Sequence, residues 1–138
     1  MKNAGPISSD TKTMLADYME NGLLDNIIDM FKHDRDLYAY VGDLLIDERL
    51  RVRIGVTALI ETLKDEDAEN VGKAIPFLLP ILRNENPSFR GDAANLLGIL
   101  GATEALPILK EMANDENAAV RTMAQEAVED IASQNPSL

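Results

Sequence analysis

Residues 105–131, ALPILKEMANDENAAVRTMAQEAVEDI, repeat the chemistry of residues 74–100, AIPFLLPILRNENPSFRGDAANLLGIL, at a constant offset of 31 positions. Ala74-Ile75-Pro76-Phe77-Leu78 falls on Ala105-Leu106-Pro107-Ile108-Leu109, and Asn84-Glu85 falls on Asp115-Glu116. Phe89-Arg90, Ala93, Leu97 and Leu100 meet Val120-Arg121, Ala124, Val128 and Ile131. Apolar spacing and polar identity agree together, which marks a tandem structural unit. A third copy lies upstream at an offset of 37, where Leu45, Asp47-Glu48, Val52-Arg53, Leu59-Ile60 and Leu63 meet Leu82, Asn84-Glu85, Phe89-Arg90, Leu96-Leu97 and Leu100. The six additional residues sit in Asp65-Glu66-Asp67-Ala68-Glu69-Asn70, read as a solvated acidic linker between repeats, where insertion is tolerated.

Each copy reads as two helices, A then B. In the last copy Leu106, Leu109, Met112 and Ala113 form an i, i+3, i+4 stripe on helix A, and Val120, Met123, Ala124, Ala127, Val128 and Ile131 form one on helix B. The polar turn Asn114–Asn117 separates them. Thr103 is the expected N-cap of the last A helix, and Asn86 caps the middle B helix ahead of Pro87. Gly101 is placed to end that helix. Pro76 and Pro80 make the middle A helix start late or kink, because Pro80 lacks the N–H that would reach back one turn. Upstream, Thr11–Glu20 and Leu23–Lys32 form one further pair around Asn21-Gly22, without the Asp and Arg pattern, as a terminal cap has. The predicted fold is all-α: an α-solenoid of antiparallel helix pairs with about eight helices in one domain over residues 1–138. It divides into a flexible start at 1–8, a capping pair at 9–33, and repeats at 36–64, 71–101 and 103–133.

Composition narrows the chemistry. Aromatics are 4% of the chain and Trp is absent, so the core is aliphatic; Cys is absent, which removes disulfides and thiolate metal sites. Thirteen basic against 24 acidic residues give a net charge of −11, which opposes binding to nucleic acid or to an anionic membrane surface. The acid is distributed: residues 34–69 hold ten acidic and five basic side chains, and 70–104 hold three of each. Met1–Asp10 lacks the apolar stretch of a signal peptide, and no apolar run approaches membrane-spanning length, so a cytoplasmic protein is expected.

With Ala105-Leu106-Pro107, Asp115, Val120-Arg121, Ala124 and Ala127-Val128, and their middle-copy counterparts Ala74-Ile75-Pro76, Asn84, Phe89-Arg90 and Ala93, the chain resembles the HEAT-repeat family. The likeness covers roughly residues 36–132 and is nearest to the short bilin-lyase-type HEAT-like repeats. It implies that Asp47 and Arg53, Asn84 and Arg90, and Asp115 and Arg121 form a structural ladder, the turn acid bonding a helix N-terminus and the Arg of a neighbouring repeat. Asn84 departs from the acidic pattern and leaves that rung without its charge.

No catalytic residue, metal site or cofactor is read from the chain. His33 is the single histidine and sits at a helix end beside Asp34, where a cation suits the helix dipole. The repeated His-Glu pairs of HEAT-like di-iron hydroxylases are absent, as is the basic, aromatic face of HEAT-like glycosylases. What remains is binding. Positions +3, +6, +7 and +10 from each Arg are core; those between are expected to project outward as Gly55, Ala58, Glu61 and Thr62, then Gly91, Asp92, Asn95 and Gly98, then Thr122, Gln125, Glu126 and Glu129. The candidate partner-binding set on this concave B-helix face is Asp92, Asn95, Thr122, Gln125, Glu126 and Glu129, joined by Tyr38 and Tyr40, at least one of which should be exposed. Met14, Met19 and Met30 fit an adaptable apolar edge or the core. The expected function is a non-catalytic protein–protein interaction module for a basic or mixed-charge protein or peptide, with a homodimer through the N-terminal pair as one option. The alternatives are a lyase-like accessory enzyme component and a structural subunit of a larger assembly.

Overall fold

The B segments carry long, capped apolar stripes and form regular α-helices; the A segments, short and proline-bearing, do not. A computed structural model describes residues 7–137. Helices α1 (Ile7–Glu20) and α2 (Leu24–His33) make the N-terminal pair. Of the flexible start expected over 1–8, residues 1–6 lie outside the described residues, and residues 7 and 8 already belong to α1. Three B helices follow, α4 (Leu50–Glu66), α6 (Pro87–Ile99) and α8 (Ala118–Gln134). Each is preceded by a composite A segment. The first joins a 3₁₀ turn, Arg35–Tyr40, to α3 (Val41–Leu45). The second flanks α5 (Ile75–Leu78) with 3₁₀ turns at Val71–Ala74 and Leu79–Arg83. The third flanks α7 (Leu106–Glu111) with 3₁₀ turns at Thr103–Ala105 and Met112–Asn114. In the second, the α-helical pattern gives way at Leu79-Pro80, where the proline removes a ladder N–H.

Helix ends follow the local chemistry. Asn86 accepts the Ser88 N–H at 2.8 Å and Asn117 accepts the Val120 N–H at 3.1 Å, so α6 and α8 are side-chain capped. Gly22 (φ 78°) and Gly101 (φ 64°) take the left-handed conformation that L side chains resist. Each closes a double bond back onto its helix: Gly22 and Leu23 N–H donate to the Met19 and Tyr18 carbonyls, Gly101 and Ala102 N–H to those of Gly98 and Leu97. Thr103 does not cap. The glycine turn delivers the chain into the 3₁₀ turn with Ala102 at its entry, and no side chain bonds the free N–H groups there. The acidic linker is also shorter than expected, because α4 runs on through Asp65 and Glu66.

One continuous aliphatic core runs from Leu15 and Phe31 through Val56, Leu59 and Leu82 to Ala124 and Ile131. The positions +3 and +6 from each Arg are buried in all three copies. The glycines between them are not surface residues, which corrects the expectation for that face. A β-carbon on Gly98 would stand 2.9 Å from the α-carbon of Ala127, and one on Gly55 would strike the Met19 sulfur. These are the points where one helix backbone approaches the next element. Helices α6 and α8 lie against each other along their length, whereas α4 and α6 touch only locally. Ile54, at the position equivalent to Gly91, is consequently 61% exposed, and Leu50 beside it is 62% exposed. Among the described residues no helix is long and apolar enough to cross a membrane.

Two substitutions separate close approach from ordinary helical glycine. Gly98→Val should destabilise the fold by about 2 kcal/mol, because the added carbons meet backbone that cannot yield. Gly91→Ala meets only the Met123 Cγ, at 3.6 Å, and should be neutral or stabilising by up to about 1 kcal/mol through helix propensity. Urea unfolding of both variants measures the contrast.

Candidate functional site

The three turn residues do one job in common. Asp47 Oδ1 accepts the Arg49 N–H at 2.9 Å, Asn84 Oδ1 the Asn86 N–H at 2.8 Å, and Asp115 Oδ1 the Asn117 N–H at 2.9 Å. Each thereby satisfies an N–H at the entry of a B helix. The charged rungs differ. Arg90 grips Asp115 with Nε on Oδ2 and Nη2 on Oδ1, both at 2.9 Å, and its Nη1 donates to the Asn84 carbonyl. Arg53 finds only the neutral Asn84 at the matching turn and turns instead to Asp92, at 3.2 and 2.6 Å, with its guanidinium 4.9 Å from the centre of the Phe89 ring. Asp47 has no Arg before it and takes Lys12 at 3.0 Å together with Arg49. Hydrogen bonding by Arg49 holds the Asp47 carboxyl well below the usual carboxylate range, and hydrogen bonding by Arg90 lowers that of Asp115.

The expected binding set separates into five groups. Asp92 is engaged by Arg53 as part of the scaffold. Tyr38 is buried: its ring meets Phe31 edge-on at 5.1 Å and its hydroxyl donates to Asp67 Oδ2 at 2.8 Å. Burial, with the Asp67 hydrogen bond, raises its pKa far above the ordinary phenol range, so it stays a neutral donor. Asp67, bonded also by Asn70, therefore ties the linker to the first repeat and is more than a solvated acid. Asn95 and Glu126 share the free face of the B helices, half-buried and exposed respectively. Thr122, Gln125 and Glu129 occupy the positions of Gly91, Ala94 and Gly98 one repeat on, so they lie on the side of α8 turned away from α6.

Tyr40 has a different setting. With Met14, Met30 and Leu37 it lines an open cleft of about 710 Å³ between the N-terminal pair and the first A segment. Asp34, Asp36 and Asp43 stand among the lining residues with Thr11, His33 and Ala39, and among the described residues no Lys or Arg does. Met19, by contrast, is buried against Gly55. His33 is exposed, its Nδ1 2.8 Å from the Asp29 carbonyl of its own helix.

A sequence model of HEAT repeats matches residues 39–129. The chain belongs to the HEAT-repeat family. No curated protein sequence matches it. HEAT repeats commonly serve as protein-interaction scaffolds, and the capped turns with the Arg90–Asp115 rung are how this one holds its repeats in register. Sequence reasoning missed Leu50 and Ile54, an exposed apolar pair on α4. The signal was present: they are large where the equivalent positions hold Pro87 and Gly91, or Ala118 and Thr122.

The ladder predicts an acid limb of stability. The folded pKa values of Asp47 and Asp115 are depressed, so their contribution is full above the unfolded value of about 4 and is lost as pH falls below it. Asp115→Asn keeps an acceptor for the Asn117 N–H, as Asn84 shows, but removes the charge. It should cost about 2 kcal/mol at neutral pH and weaken the fall of melting temperature in acid, followed by circular dichroism across pH.

Proposed function

We propose that this HEAT-repeat chain is a non-catalytic interaction module that binds a basic or mixed-charge protein or peptide. The observation that carries the reading is the cleft beside Tyr40. Its floor is apolar and polarisable, through Met14, Met30, Leu37 and the tyrosine ring, and among the described residues no Lys or Arg lines it to answer the carboxylates Asp34, Asp36 and Asp43. Methionine floors adapt to varied side chains, and an aromatic ring beside carboxylates favours Lys or Arg. Glu126, exposed on the free face of α8, adds a carboxylate to the B-helix side. The overall charge of −11 supports a cationic protein partner over a nucleic acid. The non-catalytic reading is supported by His33, which lines the cleft but is exposed, with its Nδ1 held by the Asp29 carbonyl of its own helix.

A fluorescein-labelled amphipathic peptide rich in Lys and Leu tests this by anisotropy. Tyr40→Ala combined with Asp36→Lys should weaken binding about tenfold or more while the melting temperature stays nearly constant. If that variant binds the peptide as the wild type does and Glu126→Lys abolishes binding, the site belongs on the B-helix face. Indifference of both variants contradicts a basic partner.

A further inference from the structure

We propose that the α7–α8 face turned away from α6 is a second docking surface, shaped for a helical segment of a partner that carries a carboxylate at its helix entry. The molecule contains its own template for this contact. Arg90 donates Nη1 to the Asn84 carbonyl, and this posture presents Nε and Nη2 to Asp115, in the turn that enters α8. One repeat later Arg121 adopts the same posture, its Nη1 on the Asp115 carbonyl at 2.6 Å. Among the described residues no carboxylate pairs with it, and its Nε and Nη2 take no acceptor. The guanidinium is therefore already held in the orientation that grips a carboxylate bidentately.

The surface beside it has relief and charge of the matching sign. A groove of about 540 Å³ runs between α7 and α8 over Leu109, Ala113, Ala118 and Val128. Ala113, expected in the apolar stripe of the A helix, is exposed here instead. The charged residues lining the groove are Lys110 and Arg121, both cationic, in a chain whose net charge is −11. Charge complementarity thus selects an acidic segment with an apolar face, the opposite of what the Tyr40 cleft selects. The contact differs from an internal repeat junction in one respect. Where α6 offers Gly91 and Ala94 to α8, α8 offers Thr122 and Gln125. Polar side chains there keep an incoming helix from the backbone-to-backbone approach made at Gly98, so the junction is a separable one. A module with a cation-selecting cleft and a carboxylate-selecting groove bridges two partners of opposite charge.

The probe is a fluorescein-labelled amphipathic peptide with an Asp N-cap and leucines at i, i+3, i+4 and i+7, measured by anisotropy against the full chain. Arg121→Ala should weaken it about tenfold or more, and Arg121→Lys should recover only part of the loss because an ammonium cannot hold the carboxylate in a fork. Replacing the peptide's Asp with Asn should reproduce the effect of Arg121→Ala, and Tyr40→Ala should leave the affinity unchanged. Amide shifts in NMR should map to Leu109, Ala113, Ala118 and Thr122. Equal binding by Arg121→Ala at an unchanged melting temperature, or shifts confined to the Tyr40 cleft, overturns the proposal. So does a groove covered by a second copy of the chain, seen as concentration-dependent mass that Arg121→Ala abolishes.

Discussion

A helix pair cannot bury its apolar face alone, so everything in this chain depends on how closely one pair can approach the next. That approach is tightest between α6 and α8, where Gly98 lets the helix backbones meet at Ala127. Close contact there aligns the turns, and the alignment sets Arg90 within bidentate reach of Asp115. The carboxylate in turn satisfies the N–H that opens α8, so one side chain both starts a helix and fixes its neighbour. Arg90 and Asp115 are only 12% exposed, which keeps solvent from screening the pair.

The rest of the stack departs from this pattern in ways that follow from single residues. Asn84 gives Arg53 no charge to meet, so Arg53 reaches along α6 to Asp92 and lies over Phe89. The α4–α6 junction is correspondingly looser and leaves Leu50 and Ile54 in solvent. The six-residue insertion is anchored by Asp67, which holds Tyr38 and Asn70 and so connects α4 to the A segment behind it. The cleft lies where the N-terminal pair meets the first A segment, and the groove lies between α7 and α8 of the third repeat.

Much of the fold was legible because it rests on local chemistry. The repeat spacing, the Asn86 cap, the Gly22 and Gly101 turns and the disruption at Pro80 are set by residues close in sequence. What escaped depends on neighbours from other repeats. A periodicity count finds one apolar stripe per helix, but a helix in the middle of a stack has two partners and buries two faces. Gly91 and Gly98 therefore read as exposed when they are the second interface. Tyr38 reads as an anchor for a partner because its acceptor, Asp67, lies 29 residues away. The diversion of Arg53 to Asp92 follows from the same limit. Of the candidate site, Tyr40, Met14 and Met30 were each visible as unusual residues, but only the fold brings them into one cleft with three aspartates. The Arg121 posture was not visible at all, since it is recognised only against the filled rung at Arg90.

The central claim is that the recurrent acid and arginine hold the repeats together instead of serving a ligand. A double-mutant cycle on Arg90→Ala and Asp115→Ala, read by urea unfolding, tests it most directly. A coupling energy of roughly 1–3 kcal/mol between the two sites is the predicted result. Additive single-site effects, with coupling near zero, would contradict it and return both residues to the candidates for binding.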